Sequence, residues 1–287
     1  MKLGNFEVLE IDTGRFMLDG GAMFGVVPKA LWERSDKADS KNRIELALRT
    51  LLIKSKDFNL LIDVGMGSKW NQRQREIFNL REKPMEALLK EQAGLACSDI
   101  SHVLITHLHF DHCGGLTELN GDGNPTQTFK KAEVYVHEDN LKWAENPNLR
   151  EKASYLNENW QAYKDSKQLQ LVRSKPMEKK EILPGVWIMR SDGHTRGQQC
   201  VLLDGGKDGK LFFCGDLIPS SSHIKIPWTM GYDIDPLTIM NEKRIVLNEA
   251  SRENWRLYFE HDARGAMASL VKESEDKFRL LNTPADF

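Results

Sequence analysis

The chain has 287 residues, 40% of them hydrophobic and 29% charged, an ordinary globular composition on a chain long enough to bury a substantial core. Its formal net charge of -2 gives no global signal for nucleic acid or an anionic membrane surface, so neither is expected as a partner. No apolar run approaches the roughly 20 residues that a membrane-spanning helix needs.

Taken in chain order, the opening segment Met1-Lys2-Leu3-Gly4-Asn5-Phe6-Glu7-Val8 has neither the apolar stretch nor the small-residue cleavage site of a signal peptide. The first 18 residues read as two strands around the turn Asp12-Thr13-Gly14. Asp19-Gly20-Gly21-Ala22 then opens a long irregular stretch through Lys41 that carries Met23, Phe24, Val26, Val27 and Trp32. Long ordered loops with apolar residues tend to be functional. Leu48 to Ile53 and Asn59 to Val64 pattern as paired strands, and Pro84 to Ala93 as a helix with Met85, Leu88 and Leu89 on one face. Val103 to Ile105 is a short buried strand that delivers the chain into a histidine cluster. Ala132 to Val136 reads as a strand followed by mostly helical sequence, and strands recur at Val186 to Arg190, Cys200 to Leu203 and Leu211 to Cys214. Pro236 to Ala250 reads as a helix, Trp255 to Phe259 as a strand and Ala266 to Glu273 as a final helix.

Strands dominate both halves and a helical stretch follows each block. Two sheets packed face to face with helices outside would account for that order, as would an open mixed sheet. With no internal repeat and no Gly/Ser/Pro-rich linker, residues 1–287 read as a single domain. The four cysteines, Cys97, Cys113, Cys200 and Cys214, are scattered without a C-x-x-C pair, which points to reduced thiols and a cytoplasmic location.

Thr106 to His112 carries three histidines and an aspartate at the end of a strand. Alternate side chains of an extended segment share a face, so His107 and His109 can point at one ion. The following turn carries Asp111 and His112 to a second position, and Gly114-Gly115 relieves crowding beyond it. Neutral imidazole suits Zn, Fe, Mn, Co or Ni, and the carboxylate adds a hard oxygen. Packing alone gives no reason to gather so many titratable groups. Three more candidates, His194, Asp216 and His261, each sit at the end of an expected strand, held by a sheet yet presented at its rim.

At these points the sequence resembles the metallo-β-lactamase superfamily. The motif stands as His107-x-His109-x-Asp111-His112, then Gly193-His194-Thr195, Gly215-Asp216 and Glu260-His261-Asp262, with Asp63-x-Gly65 where the family keeps a structural aspartate. The resemblance implies an α/β fold, a four-layer αββα sandwich, and two divalent ions, zinc first among Zn, Mn, Fe and Co. It assigns His107, His109 and His194 to one ion, Asp111, His112 and His261 to the other, and Asp216 to both. Two ions can lower the pKa of a bridging water from 15.7 to about 7 and polarise a carbonyl or phosphoryl oxygen. Hydrolysis by metal-bound hydroxide then needs no Ser or Cys nucleophile, and Asp111 is the candidate to move the proton. Flavodiiron relatives carry Glu in place of His109, so redox chemistry is disfavoured.

The segments Leu18 to Lys29, Gly215 to Pro219 and Pro227-Trp228 look similar to the branch of quorum-quenching N-acyl-homoserine lactonases and methyl-parathion-hydrolase-like enzymes. In well-known lactonases a tyrosine follows the bridging aspartate by three residues; here that position is Pro219, which has no donor. His223 and Tyr232 are candidates to replace it. Met23, Phe24 and Trp32 are candidates to line an acyl-chain pocket, the alternatives being core cover or a homodimer contact. The expected function is a lactonase or carboxylic-ester hydrolase acting on a small molecule. A phosphoester hydrolase, either an organophosphate triesterase or a nuclease, is the second reading, and a non-catalytic metal- or partner-binding protein the third.

Overall fold

The computed structural model describes residues 1–281. They form two compact units, one of Met1–Arg15 with Leu48–Arg173, the other of Phe16–Ala47 with the chain from Ser174 onward. Each has its own apolar core. In the first, Leu52, Leu61, Val103, Val134 and Tyr163 are among the buried members. In the second, they include Phe212, Val246, Trp255, Leu257 and Phe259.

One mixed sheet of eight strands runs Lys2–Leu3, Phe6–Asp19, Arg43–Lys54, Asn59–Ile62, His102–Leu104, Glu133–His137 and Leu169–Val172, with Arg81–Glu82 paired to Phe6–Asp19. From Asn59–Ile62 onward neighbouring strands are parallel. His102–Leu104 is therefore flanked on both edges, and its Val103 and Leu104 are wholly buried, as a central parallel strand requires.

The second unit carries a sheet of seven strands in the order Lys179–Leu183, Val186–Ser191, Gln198–Asp204, Lys210–Phe213, Arg256–Tyr258, Met267–Ser274 and Lys277–Leu281. Its one parallel pair, Lys210–Phe213 with Arg256–Tyr258, is joined through the helix Pro236–Glu253. That helix starts because Asp235 accepts from the backbone N–H groups of Leu237 and Thr238 and proline occupies its first turn; it stops at Asn254, which is left-handed at φ 55. Ile239, Val246, Leu247 and Ala250 recur at helical spacing and are buried.

The structure corrects three local expectations. Asp12-Thr13-Gly14 does not reverse the chain: Phe6–Asp19 is one strand, and Gly14, at φ 134, pairs with Glu82. The Asp12 carboxylate makes its turn-like hydrogen bond to the N–H of Gly14 without closing a hairpin. The stretch after Asp19 is not wholly irregular, for Asp19 caps the short helix Gly20–Phe24 and Lys29–Trp32 forms another. Ala266 to Glu273 is not a helix: Met267–Ser274 is a strand, with Ala268 paired to Leu257 on one edge and Leu270 to Leu280 on the other. The segment after Glu133–His137 has two helices, Glu138–Glu145 and Gln161–Asp165, separated by irregular chain. All four cysteines are buried and unbridged. No helix among the described residues is long and apolar enough to cross a membrane.

Candidate metal centre

In the first unit the chain leaves His102–Leu104 at its C-terminal end, the rim where parallel sheets commonly present ligands. Asp63, at the corresponding end of Asn59–Ile62, organises the segment from Thr106 to His112. Its Oδ1 accepts from the N–H of Thr106 at 2.7 Å and its Oδ2 from the Thr106 hydroxyl at 2.7 Å. The same Oδ2 lies 3.0 Å from Nδ1 of His112. A carboxylate facing Nδ1 fixes the proton there and leaves the lone pair on Nε2 of His112, the atom through which it could bind a metal ion.

Thr106 Oγ1 lies 3.1 Å from Nδ1 of His107. His109 is turned the other way, with Nε2 3.5 Å from Oε1 of Glu151. The His107 ring centre is 4.5 Å from that of His109 and 4.0 Å from that of His112, and Asp111 Oδ2 is 3.7 Å from His112 Nε2. The motif histidines and the aspartate thus share one small, buried space. Gly114 and Gly115 are required by close approach: a Cβ would meet the Met66 carbonyl oxygen at 2.1 Å and that of Val64 at 2.2 Å.

In the second unit His194 follows Val186–Ser191, Asp216 follows Lys210–Phe213 and His261 follows Arg256–Tyr258, all at strand ends. His194 Nδ1 is 2.9 Å from Oδ1 of Asp233, and His261 Nδ1 is 2.9 Å from the carbonyl oxygen of Ala47. Each ring is thereby held with Nε2 turned inward. His194 Nε2 is 3.3 Å from Oδ2 of Asp216, and His261 Nε2 is 3.3 Å from Oδ1. The Asp216 carboxylate stands between two imidazoles with one oxygen for each. All three residues are buried.

These donors fit divalent transition-metal ions: imidazoles and carboxylate oxygens, with a hydrogen-bonding group behind His107, His112, His194 and His261 and the Glu151 carboxylate 3.5 Å from His109. Asp233, Glu151 and Thr106, which stand behind His194, His109 and His107, are not among the residues that the sequence marks out. Asp233 adjoins Tyr232 but carries no local signal, and Glu151 lies in irregular chain.

The residues expected to meet a substrate fall differently. Phe24 is stacked between Trp32, at 5.2 Å, and His223, at 4.8 Å, and all three are buried with Met23. His223 spends both ring nitrogens inside the second unit, Nδ1 on Ser220 Oγ at 2.8 Å and Nε2 on the Met23 carbonyl oxygen at 2.9 Å. Packing accounts for these four. Tyr232 is 38% exposed, between Gly231, whose N–H donates to Ala22, and Asp233 behind His194. Pro219 gives its carbonyl to the N–H of His261 at 3.0 Å.

Residues 49–261 match the family model described as the metallo-beta-lactamase superfamily. The chain belongs to the metallo-beta-lactamase superfamily. Within it, a solved structure described as a probable metal-dependent hydrolase from Staphylococcus aureus is 31% identical, with a TM-score of 0.87 over 99% of both chains. A probable metallo-hydrolase of Mycobacterium tuberculosis is 27% identical over 228 residues, 72% of this chain and 69% of the relative. AidC, a dizinc quorum-quenching lactonase solved with a product, N-hexanoyl-L-homoserine, has a TM-score of 0.81 at 19% identity, covering 100% of this chain and 97% of its own. The superfamily membership and the histidine and aspartate donors make this chain a metal-dependent hydrolase.

Proposed function

We propose that the chain is a two-metal hydrolase of lactones and carboxylic esters, with N-acyl-homoserine lactones as the substrate class. The observation that carries the reading is the Asp216 carboxylate, which offers one oxygen beside each of His194 and His261. That is the arrangement of a bridging ligand. In this reading His107, His109 and His194 hold one ion, Asp111, His112 and His261 the other, and Asp216 both. When bound, such a pair supplies hydroxide at neutral pH and Lewis acidity toward the scissile carbonyl.

The chain's own residues do the rest. Asp63, Asp233 and the Ala47 carbonyl fix ring orientation before substrate arrives, so no reorganisation is needed during turnover. Asp111 takes the proton of the hydroxide that adds to the carbonyl carbon and returns it to the ring oxygen as the C–O bond breaks, leaving a carboxylate and an alcohol. Tyr232, 38% exposed and next to Asp233, is assigned to donate to the substrate carbonyl, a task closed to Pro219. Met23, Phe24, Trp32 and His223 act as the packed support beneath the loop that carries Tyr232. The dizinc lactonase of similar fold supports this choice of substrate class.

The missing donor at Pro219 favours one competing reading, hydrolysis of a phosphotriester. The test is kcat/KM of metal-loaded protein for a homoserine-lactone series with acyl chains of about four to twelve carbons, beside an aryl phosphotriester. Chelator-sensitive ring opening is expected, and Tyr232→Phe should lower it about 2- to 12-fold, the loss of one hydrogen bond. No ring opening together with brisk phosphotriester turnover would transfer the assignment.

A further inference from the structure

The helix Pro236–Glu253 buries two successive charged residues, Glu242 and Lys243, at 4% and 0% exposure. Neighbours in sequence point about 100° apart around a helix. Each therefore enters a different part of the second unit, Lys243 turning its charge to backbone carbonyls and Glu242 to backbone N–H groups and one hydroxyl.

Glu242 accepts from the Ser191 hydroxyl at 2.7 Å, the N–H of Asp192 at 2.8 Å and the N–H of Gly193 at 3.3 Å. These are the residues that lead into His194. Gly193 is pressed so close to the helix that a Cβ would lie 2.5 Å from the backbone nitrogen of Ile239. The carbonyls of Gly193 and His194 accept in turn from the N–H groups of Asp235 and Ile234. Lys243 donates to the carbonyls of Lys225 and Trp228, both at 2.8 Å, and so fixes the start of the loop that runs to Asp233. Asp233 Oδ2 accepts from the N–H of Met230, while its Oδ1 faces His194.

Both charges are costly to bury: burial raises the Glu242 carboxyl and lowers the Lys243 ammonium to about 7. An apolar residue would fill either place without that cost. What an apolar residue could not do is hold polar backbone in one conformation on both sides of the His194–Asp233 pair.

We infer that Glu242 and Lys243 are positioning residues of the metal centre, clamping from one helix the two segments that bring His194 and Asp233 together. Glu242 sets the aim of His194 and Lys243 the seat of Asp233, and neither touches metal or substrate. These roles rest on the two-metal reading of the site.

The test is metal binding by purified full-length variants, with Co2+ as probe, followed by chelator competition and by the visible absorption of the bound ion. Glu242→Gln keeps the volume and removes the carboxylate; Lys243→Met removes the ammonium, and Lys243→Arg is its conservative rescue. Glu242→Gln and Lys243→Met are expected to weaken one of two Co2+ ions about 10- to 100-fold and shift its absorption, as Asp233→Asn should. The other ion should be retained. Ile245→Ala, on the exposed face of the same helix, should change neither. A merely structural role would lower the melting temperature of metal-free protein and leave Co2+ affinity and spectrum as in wild type. That result for Glu242→Gln overturns the proposal even where Lys243→Met fails to fold. If wild type itself does not take up two ions, the two-metal reading falls and the clamp with it.

Discussion

Asp63 faces His112 at 3.0 Å from a left-handed backbone, at φ 57. The conformation is uncommon outside glycine, and Asp and Asn tolerate it best. It sends one carboxylate oxygen to the Thr106 N–H and the other to the imidazole, so that a single residue sets both the entry of the histidine motif and the tautomer of its last member.

Asp63→Ala is therefore expected to weaken metal binding by about 10- to 100-fold. It also leaves the buried Thr106 N–H without its acceptor, at a cost of about 1–3 kcal/mol. Chelator competition reads the first effect and urea denaturation of metal-free protein the second. Wild-type affinity in a folded variant would separate Asp63 from the metal centre.

Two ions per chain are expected on elemental analysis of zinc-loaded protein, because the donors assigned to the site exceed the four of a usual single zinc site. Chelation should lower the melting temperature, since ligand that binds only the folded state stabilises it by mass action. A stoichiometry that stays at one after zinc or manganese is added would refute the bridging role of Asp216.

Asp216→Ala should cost several orders of magnitude in kcat. His102→Ala should leave kcat unchanged and alter stability by about 1 kcal/mol or less. His102 is occupied elsewhere, with Nδ1 2.8 Å from Ser101 Oγ and its ring beside Phe58 and Tyr135. Steady-state rates on any substrate that the wild type turns over decide the contrast. The reverse order of effects would undo the ligand assignment.

Burial holds the His223 imidazole down to about 4, against 6.5 in the unfolded chain. The unfolded state thus binds a proton that the folded state refuses. The resulting stability is fully present above pH 6.5 and is lost as pH falls through the folded value of about 4. It amounts to about 3 kcal/mol. The gap in unfolding free energy between metal-free wild type and His223→Gln should narrow by that order between about pH 7.5 and 4. A gap independent of pH would show that His223 titrates normally.

What the sequence discloses depends on how far apart the cooperating residues lie. His107 to His112 is legible because a strand end and one helical turn place the whole group locally. Asp216 and His261 are legible because each ends a short apolar strand. Asp233 and Glu242 are not, since they reach the His194 segment across 39 and about 50 residues of chain with no repeating pattern to announce them. Phe24 and Trp32 suggest a pocket because apolar residues in a connecting segment stand out; they end two short helices, Gly20–Phe24 and Lys29–Trp32, and stack on one another. Met267–Ser274 resembles a helix in sequence because its apolar residues do not alternate: Met267 and Ala268 are adjacent, as are Leu270 and Val271. Its pairing with Leu257 and with Lys277–Leu281 sets the outcome, and no local pattern carries that information.

The hydrogen bond from His261 to Ala47 spans 214 positions. During synthesis the histidine motif at 107–112 leaves the ribosome long before His261 exists, whereas Ala47 has been made early and waits for it. A growing chain therefore carries the imidazole and carboxylate groups of the 107–112 motif through a long stretch of translation before His261 is added. In the two-metal reading proposed above, the donor set is complete only once His261 has met Ala47, which makes loading of both ions a step of the folded chain.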